Sequence, residues 1–249
     1  MGYVNTATMN ENQWYILGLN FENVGAETSF KIKDLLDQSK FTVGTLVSGD
    51  TADVATQIQV RNPDNSTTTY FYFNQVMWFD EEGMPQWGDG WACEDDPTFA
   101  TEDTFEAGTG FWFKQPAGGG AVALNFAGQV LPADSADVHV KPIWQLAANP
   151  FPTALKIKDL ASDSLTSGDN AEVATQIQIR NPDNSATTYF YFNQVMWFDE
   201  EGMPQWGDGW ACEDDPTFVT EDTIAPGVGF WIKDPSKTFD IEIKNPTSK

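Results

Sequence analysis

The sequence predicts an all-β protein made of two tandem copies of one unit, and three observations support this prediction. First, residues 53–104 recur at 172–223 with only four substitutions in 52 positions. Second, apolar and polar residues alternate over short stretches, as in half-buried strands. Third, Gly, Pro, Asn and Asp separate those stretches as turn residues. We therefore expect two related β-sandwich or small β-barrel units, at 1–127 and 128–249, packed with pseudo-twofold symmetry.

The strands follow one another along the first copy. In VATQIQVRN, Ile58 and Val60 point to one face and the polar residues between them to the other. NPDNS (62–66) supplies turn residues, and TTTYFYF (67–73) places tyrosines on one face and phenylalanines on the other, which predicts a β-hairpin. KIKDLLDQ (31–38) alone is typical of a helix, of one or two turns. Short runs of this kind at 75–79, 110–113 and 121–126 predict further strands. Each copy is expected to have about eight strands in total.

The flanks of the near-identical block differ more but still align. Trp14 matches Trp144, and Phe21 matches Phe151. The first copy has six additional residues around KFTVGTL (40–46), where we expect a loop that tolerates insertion. Because the last strand of the first copy runs directly into the second copy, the linker is short. The two units are therefore expected to pack together.

Short motifs in the flanks carry a resemblance. The second copy combines a Trp-containing strand that ends at NPF (149–151), the element KIKDL (156–160) and a late strand with GVGFW (227–231). The first copy also has KIKDL and carries GTGFW (108–112), but LNF (19–21) replaces NPF. This pattern resembles a repeat unit in exported bacterial proteins of mostly unassigned function. The resemblance implies export or surface display, and it implies no catalytic residues.

Charge limits the partners. The chain has 37 acidic residues against 13 Lys and Arg, a net charge of −24. Such a surface repels phosphate, so we expect no nucleic acid partner and no binding to anionic lipid. An apolar run of roughly 20 residues, as membrane insertion requires, is not found. We interpret Met1-Gly2 as the start of a mature extracellular or cell-surface protein whose signal peptide has been removed. Cations, a surface protein and carbohydrate remain as partners.

The near-identical block predicts a ligand site. Each copy of it holds eleven carboxylates and one arginine, and together they hold six of the ten tryptophans. Two of these tryptophans flank Gly-Asp-Gly, and on a loop they would present flat rings beside carboxylates, a combination that binds sugars. The alternative is that these rings plug the end of a barrel. Trp78 is expected in the core. The predicted ligand-binding residues are Trp87, Asp89, Trp91, Trp206, Asp208 and Trp210.

The acidic residues of the block are compatible with calcium as a cofactor. Calcium takes six to eight oxygen ligands in irregular geometry, which suits carboxylates on loops. The spacing is not that of an EF-hand, and the alternative is a solvated acidic loop that keeps the protein soluble. The candidate metal ligands are Asp80, Glu82, Glu94, Asp95, Asp96, Asp199, Glu201, Glu213, Asp214 and Asp215.

Cysteine and histidine constrain the chemistry further. Cys93 and Cys212 occupy the same place in the two copies, so they are either unpaired buried thiols or partners in a disulfide between the units. His139, the single histidine, has no counterpart in the first copy, which argues against a histidine-based active site. A glycoside hydrolase that uses two carboxylates stays as a third hypothesis for the function.

The leading hypothesis is a secreted or surface-displayed, non-enzymatic binding module for carbohydrate, with calcium in its acidic loops as an option. The alternative is a structural or adhesive subunit of a cell-surface layer or fibre. The near identity of the block reflects either a surface that both copies need or recent gene conversion, which requires no function.

Overall fold

The structure is a computed structural model, and it describes residues 2–23, 29–32, 42–43, 45–62, 64–79, 81–97 and 101–246. Over these residues the protein is all-β, as predicted, with 19 strands. Apart from Ile32, which has helical conformation, the helical residues in these ranges form single 3-10 turns. No helix among the described residues is long or apolar enough to cross a membrane.

The N-terminal copy forms one main antiparallel sheet and two smaller ones. Its strands are β1 (Gly2–Asn5), β2 (Trp14–Gly18), β3 (Phe30–Lys31), β4 (Thr42–Val43), β5 (Gln57–Arg61), β6 (Thr67–Phe79), β7 (Pro85–Cys93), β8 (Thr104–Phe105), β9 (Gly110–Lys114) and β10 (Ala123–Gly128). The main sheet has the order β2-β9-β5-β6-β7, and the smaller sheets are β1-β10-β4 and β3-β8. Strand β10 runs across the predicted boundary between residues 127 and 128.

The C-terminal copy repeats this arrangement. Its strands are β11 (Ser135–Val140), β12 (Gln145–Ala148), β13 (Leu155–Lys156), β14 (Gln176–Arg180), β15 (Ala186–Phe198), β16 (Pro204–Cys212), β17 (Thr223–Ile224), β18 (Gly229–Lys233) and β19 (Phe239–Lys244). The main sheet has the order β12-β18-β14-β15-β16, with two-stranded sheets β11-β19 and β13-β17. The described sheets are open, and none of them closes into the barrel that the sequence left as an option.

The six-residue insertion of the first copy contains a strand rather than only a loop. Thr42 and Val43, the described residues at its centre, form β4 and pair with β10 at Leu124 and Ala123. The prediction of a loop is therefore wrong at these two positions, because the insertion adds a strand to the edge of an existing sheet.

The predicted hairpin is confirmed in both copies. Strand β5 ends at Arg61 opposite Thr67, and β14 ends in the same way in the second copy. Asn65 has φ +76°, the left-handed region that asparagine tolerates. Asp64 accepts hydrogen bonds from the backbone N–H and the hydroxyl of Ser66, which hold the pKa of Asp64 below its usual value.

The strand predicted separately at 75–79 is instead the continuation of β6. Strand β6 runs over 13 residues with a register shift between Val76 and Trp78, and β15 has one between Phe192 and Val195. A β-bulge bends a strand without ending it, so β6-β7 and β15-β16 become long hairpins. We call the outer part of β15-β16, residues 193–207, the C-terminal arm.

The predicted helix is reduced to one turn in the second copy. There KIKDL forms β13 followed by a 3-10 turn at Ile157–Asp159. In the first copy, residues 33–38 of the predicted helix lie outside the described residues. Three residues of helix are too few to sustain themselves without packing, and Ile157 anchors this turn in the core.

Each copy has its own hydrophobic core. The larger cluster of the first copy is built around Trp91, Phe111 and Phe126, and that of the second around Trp210 and Phe230. The tyrosines and phenylalanines of β6 point to opposite faces as predicted. Both faces are covered, however, because the phenylalanines join a second cluster with Ala52, Ala55 and Ala92.

The two copies meet through reciprocal contacts between their main sheets. Gly18 N donates to Gly227 O at 2.9 Å, and Ala148 N donates to Gly108 O at 2.9 Å, which is the same contact with the copies exchanged. The glycines of the GxGFW motifs allow this approach. A Cβ at Gly229 would lie 2.4 Å from Leu17 O, so no larger residue fits between the backbones.

The two cysteines are free thiols. Cys93 and Cys212 each pack against the core of their own copy. Of the two alternatives that the sequence left open, the structure has unpaired thiols, and each is only partly buried.

Candidate functional site

The predicted ligand-binding residues of the second copy lie on a strand, not on a loop as expected. Trp206, Asp208 and Trp210 are alternate residues of β16, so their side chains point to one face of the sheet. They differ in depth. Trp206 on the arm is 62% exposed and Asp208 is exposed, whereas Trp210 is 1% exposed.

Trp210 and its counterpart Trp91 belong to the core. Trp91 is also 1% exposed. The indole Nε1 of Trp210 donates to Leu160 O at 2.6 Å, and its ring lies 5.7 Å from that of Tyr191. Trp91 contacts Tyr72 in the same way, at 5.6 Å. The prediction that these two rings stack on a ligand is therefore corrected, because protein atoms already cover their faces.

A cavity of about 650 Å³ opens beside Asp208, and we call it the aromatic pocket. It lies between the C-terminal arm, the turn at 157–161 and the segment 217–221. Trp197 and Phe198 at the end of β15 are 37% and 57% exposed. The pocket is lined by Lys158, Asp159, Leu160, Ala161, Tyr191, Met196, Trp197, Phe198, Asp208, Gly209, Trp210, Phe218, Val219 and Glu221.

Aromatic rings form much of the exposed wall of the pocket. Phe198 and Phe218 stack with centroids 6.5 Å apart and planes inclined by 23°. Trp197 is exposed although the sequence placed its counterpart Trp78 in the core; the side chain of Trp78 lies outside the described part. Gly207 makes room for the indole, because a Cβ there would lie 2.8 Å from Trp197 Cη2.

Charged groups surround these rings. Lys158 Nζ lies 2.6 Å from Glu221 Oε1 at the rim, and this hydrogen bond holds the pKa of Glu221 below its usual value. Burial raises the pKa of Tyr191, and the nearby carboxylate of Asp208 raises it further. A tyrosine hydroxyl is protonated at neutral pH, so Tyr191 has a proton to donate. The pocket therefore offers aromatic faces, hydroxyl and carboxylate groups within one concave surface.

The acidic residues predicted as metal ligands are split between two turns of the second copy. Asp199 and Glu201 lie before β16, whereas Glu213, Asp214 and Asp215 lie after it. Nine residues of strand at roughly 3.3 Å each separate the two turns by about 30 Å. The expectation that these acids converge on a single ion is therefore corrected for the second copy, because an extended strand lies between the two turns.

The acidic turn before β16 is held by hydrogen bonds to Asp199. Asp199 accepts hydrogen bonds from Met203 N at 2.7 Å and Gln205 Nε2 at 2.8 Å, so it closes the hairpin turn. Within the described part of the chain, no group of three or more His, Cys, Asp or Glu side chains is arranged to hold a metal ion.

The first copy is described less completely. Asp80 and the side chains of Trp87 and Asp89 lie outside the described residues. The backbone of Trp87 and Asp89 belongs to β7. The other predicted metal ligands of the first copy are exposed in the two turns that flank β7. Glu82 lies before β7, and Glu94, Asp95 and Asp96 lie after it.

Sequence reasoning missed the residues that form the pocket around Asp208. Tyr191, Phe198 and Phe218 were not selected, and neither was the Lys158–Glu221 pair. One signal was present: Trp197 and Phe198 are consecutive, so on an extended strand one of them must leave the core face. No signal along the chain placed Phe218 or Lys158 beside them, because these contacts are distant in sequence.

The comparisons with family models, curated proteins and solved structures found no match to this chain.

Proposed function

We propose that this protein is a non-enzymatic module that binds neutral carbohydrate in the aromatic pocket of its second copy, exported to the cell surface, with two units related by pseudo-twofold symmetry. The observation that carries the proposal is the aromatic pocket of the second copy. Exposed rings take the apolar C–H face of a sugar, and neighbouring carboxylates and hydroxyls accept and donate its hydrogen bonds.

The charges favour a neutral sugar. Asp159, Asp208 and Glu221 line the pocket, and Lys158, the basic residue in its lining, is already paired with Glu221. An anionic sugar would meet repulsion from these carboxylates, whereas hydroxyl groups donate hydrogen bonds to them. Ionised acceptors make such hydrogen bonds stronger than neutral ones.

The reciprocal contacts between the copies support the symmetric arrangement. Leu17 forms an isolated β-bridge with Val228, and Thr109 forms one with Ala147. These are equivalent pairs with the two copies exchanged. Contacts of this kind are what a twofold relation produces. A second site supplied by the near-identical block of the first copy would raise the affinity for a repeating glycan without any new contact, provided that both sites engage at once.

The proposal is tested by screening neutral oligosaccharides on a glycan array and titrating the hits by tryptophan fluorescence. Asp89→Asn/Asp208→Asn removes both carboxylates and keeps their shape. Loss of a charged hydrogen bond costs about 1.5–3 kcal/mol, so we expect the affinity per site to fall roughly 10- to 100-fold.

The control variant is Asp95→Asn/Asp214→Asn, which makes the same change of charge in the turns after β7 and β16. It should leave the affinity unchanged. No neutral glycan bound by the wild type, or equal losses in the two variants, would contradict the proposal.

Exposed apolar residues on the C-terminal arm favour a second candidate, a subunit of a surface layer or fibre. Phe198, Met203 and Trp206 are each more than half exposed, and β16 lies at the edge of its sheet. An edge strand with apolar neighbours invites pairing with another chain. Light scattering over a concentration series should then show assembly that Phe198→Ser/Met203→Ser abolishes. A monomer at all concentrations would exclude this candidate.

A further inference from the structure

The four tryptophans outside the near-identical blocks form one row across the junction of the copies. Trp14 contacts Trp112 with centroids 6.1 Å apart, Trp112 contacts Trp231 at 6.1 Å, and Trp231 contacts Trp144 at 6.4 Å. We call this row the tryptophan ladder. All four rings are partly exposed. Such an arrangement differs from the buried tryptophans of the two cores.

A cation lies over each ring of the ladder. Lys114 Nζ is 5.5 Å from the centroid of Trp14, and Lys233 Nζ is 4.8 Å from that of Trp144, each within its own copy. The arginines cross the junction. Arg180 Cζ lies 5.3 Å from Trp112, and Arg61 Cζ lies 6.0 Å from Trp231. These distances are within the range of cation–π attraction.

Within the part of the chain that the structure describes, these four cations stand apart from the carboxylates. The chain contains 37 carboxylates and only 13 Lys and Arg. Elsewhere the lysines Lys31 and Lys158 are paired with glutamates. Among the described residues, in contrast, no carboxylate forms an ion pair with any of the four ladder cations. In so acidic a protein, the ladder is a local concentration of uncompensated positive charge.

The ladder also has an opening of its own. A cavity of about 260 Å³ is lined by Arg61, Trp144, Gln178 and Trp231. This volume is below the roughly 300–1,000 Å³ of compact ligand sites, so the cavity suits one residue of a longer chain. Arg61 is held in place by hydrogen bonds to the side chain of Asn65, which leaves further guanidinium donors available.

We propose that the tryptophan ladder is a second binding site, distinct from the aromatic pocket, and that it takes an acidic oligosaccharide containing uronic acids. The exposed parts of the indole rings, beside the cations that lie over them, would contact successive sugars. Lys114, Lys233 and the two arginines would pair with the carboxylates, the arginines in a bidentate manner.

The charge pattern selects this ligand over the neighbouring classes. A neutral glycan uses the rings but leaves the four cations unsatisfied. A nucleic acid carries a charge on every phosphate and would be repelled by the rest of a −24 surface. A uronate chain also carries a charge at each residue, but that charge is on a sugar whose C–H face can contact a ring, so the chain matches both the rings and the cations.

The test is a calorimetric titration with oligogalacturonate of defined length, beside its methyl-esterified form. The ester keeps the sugar rings and removes the charge. We expect oligogalacturonate to bind at least about tenfold more tightly than the ester, a difference of 1.4 kcal/mol. The affinity for oligogalacturonate should fall as added salt screens the cations.

Lys114→Gln/Lys233→Gln should lower the affinity for oligogalacturonate by about tenfold or more. These lysines contact a ring of their own copy, so the junction is kept. Lys156→Gln/Lys244→Gln is the matched control, because both lysines are exposed and away from the ladder, and it should bind within about twofold of wild type. Lys114→Arg/Lys233→Arg should retain binding, which separates loss of charge from misfolding.

Three results would overturn the proposal: equal binding of oligogalacturonate and its ester, equal losses in the two glutamine variants, or tighter binding of single-stranded DNA of matched charge. Asp89→Asn/Asp208→Asn serves as the remaining control. It should leave oligogalacturonate binding unchanged, so failure at the ladder and failure at the aromatic pocket are told apart.

Discussion

Replacing Gly229 by alanine tests the close approach of the two copies. The added Cβ would lie 2.4 Å from Leu17 O and 3.0 Å from Leu17 C, which are backbone atoms that cannot rotate away. Ordinary contact begins at about 3.5 Å, so the strands must separate by roughly 1 Å. Two residues away, Gly18 N donates to Gly227 O at 2.9 Å, and this hydrogen bond would lengthen with them.

The magnitude follows from these two effects. Overpacking costs about 1–3 kcal/mol, and a weakened hydrogen bond adds about 0.5–1.5 kcal/mol. We expect a loss of about 2–4 kcal/mol in the free energy of unfolding. In a chain of this length each kcal/mol lowers Tm by about 2–4 °C, so differential scanning calorimetry should show a decrease of roughly 5–15 °C.

The matched control is Gly202→Ala. Gly202 has φ +77° and no atom within 4 Å of an added Cβ, so its cost is limited to the strained backbone, about 1–2 kcal/mol. The reasoning is refuted if Gly229→Ala is no more destabilising than Gly202→Ala.

Three further predictions concern the core, the pH dependence and the acidic turns. Trp210→Phe removes the hydrogen bond to Leu160 O and leaves a cavity, so urea unfolding should show a loss of about 2–4 kcal/mol; a neutral effect would place the ring outside the core. Burial raises the pKa of Asp234, but hydrogen bonds from the Thr175 hydroxyl and Ser236 N lower it more, so the net pKa is below its usual value. The stability from a depressed carboxyl pKa is present above the unfolded pKa of about 3.9 and is lost as pH falls through the folded value. Asp234→Asn should therefore weaken the fall in the free energy of unfolding, measured with urea, as pH drops below about 4, and an unchanged pH dependence would contradict this. If the turn at Glu213 binds calcium as the sequence suggested, calcium at ten times its Kd should raise stability by about 1.4 kcal/mol, and no change in Tm with calcium or chelator would exclude it.

The strands were predictable because alternation is a local property. The β5-β6 hairpin was read correctly, since the turn residues and the flanking periodicity lie within 20 residues of one another. The extent of β6 was not predictable. A β-bulge changes which face each residue occupies, so the pattern breaks at Val76 although the strand continues.

The depth of the tryptophans was not readable from the sequence. Trp206 and Trp210 are on the same face of one strand, yet only Trp210 is buried. The difference is their position along the hairpin. Strand β14 pairs with β15 only between Ala186 and Phe190. Trp210 is opposite Tyr191, so it lies next to the part of the sheet where β14, β15 and β16 are all paired, whereas Trp206 projects with the arm. Such distances from the centre of a sheet depend on contacts that no local pattern records.

The contacts between the two copies could not be predicted from the sequence either. The GxGFW motifs were evident in the sequence, but their glycines act on residues of the other copy, such as Ala147 beside Gly110. The cation–π pairs of Arg61 and Arg180 also cross the junction. The short linker predicted that the two units pack together, and only the structure shows which faces meet.

The most direct test of the proposed function is the stoichiometry of neutral glycan binding, measured by isothermal titration calorimetry with a short oligosaccharide identified on the array. The aromatic pocket of the second copy predicts that an Asp208→Asn chain binds one sugar fewer than a wild-type chain at the same concentrations. A single site in the wild type that is indifferent to Asp208→Asn would contradict it.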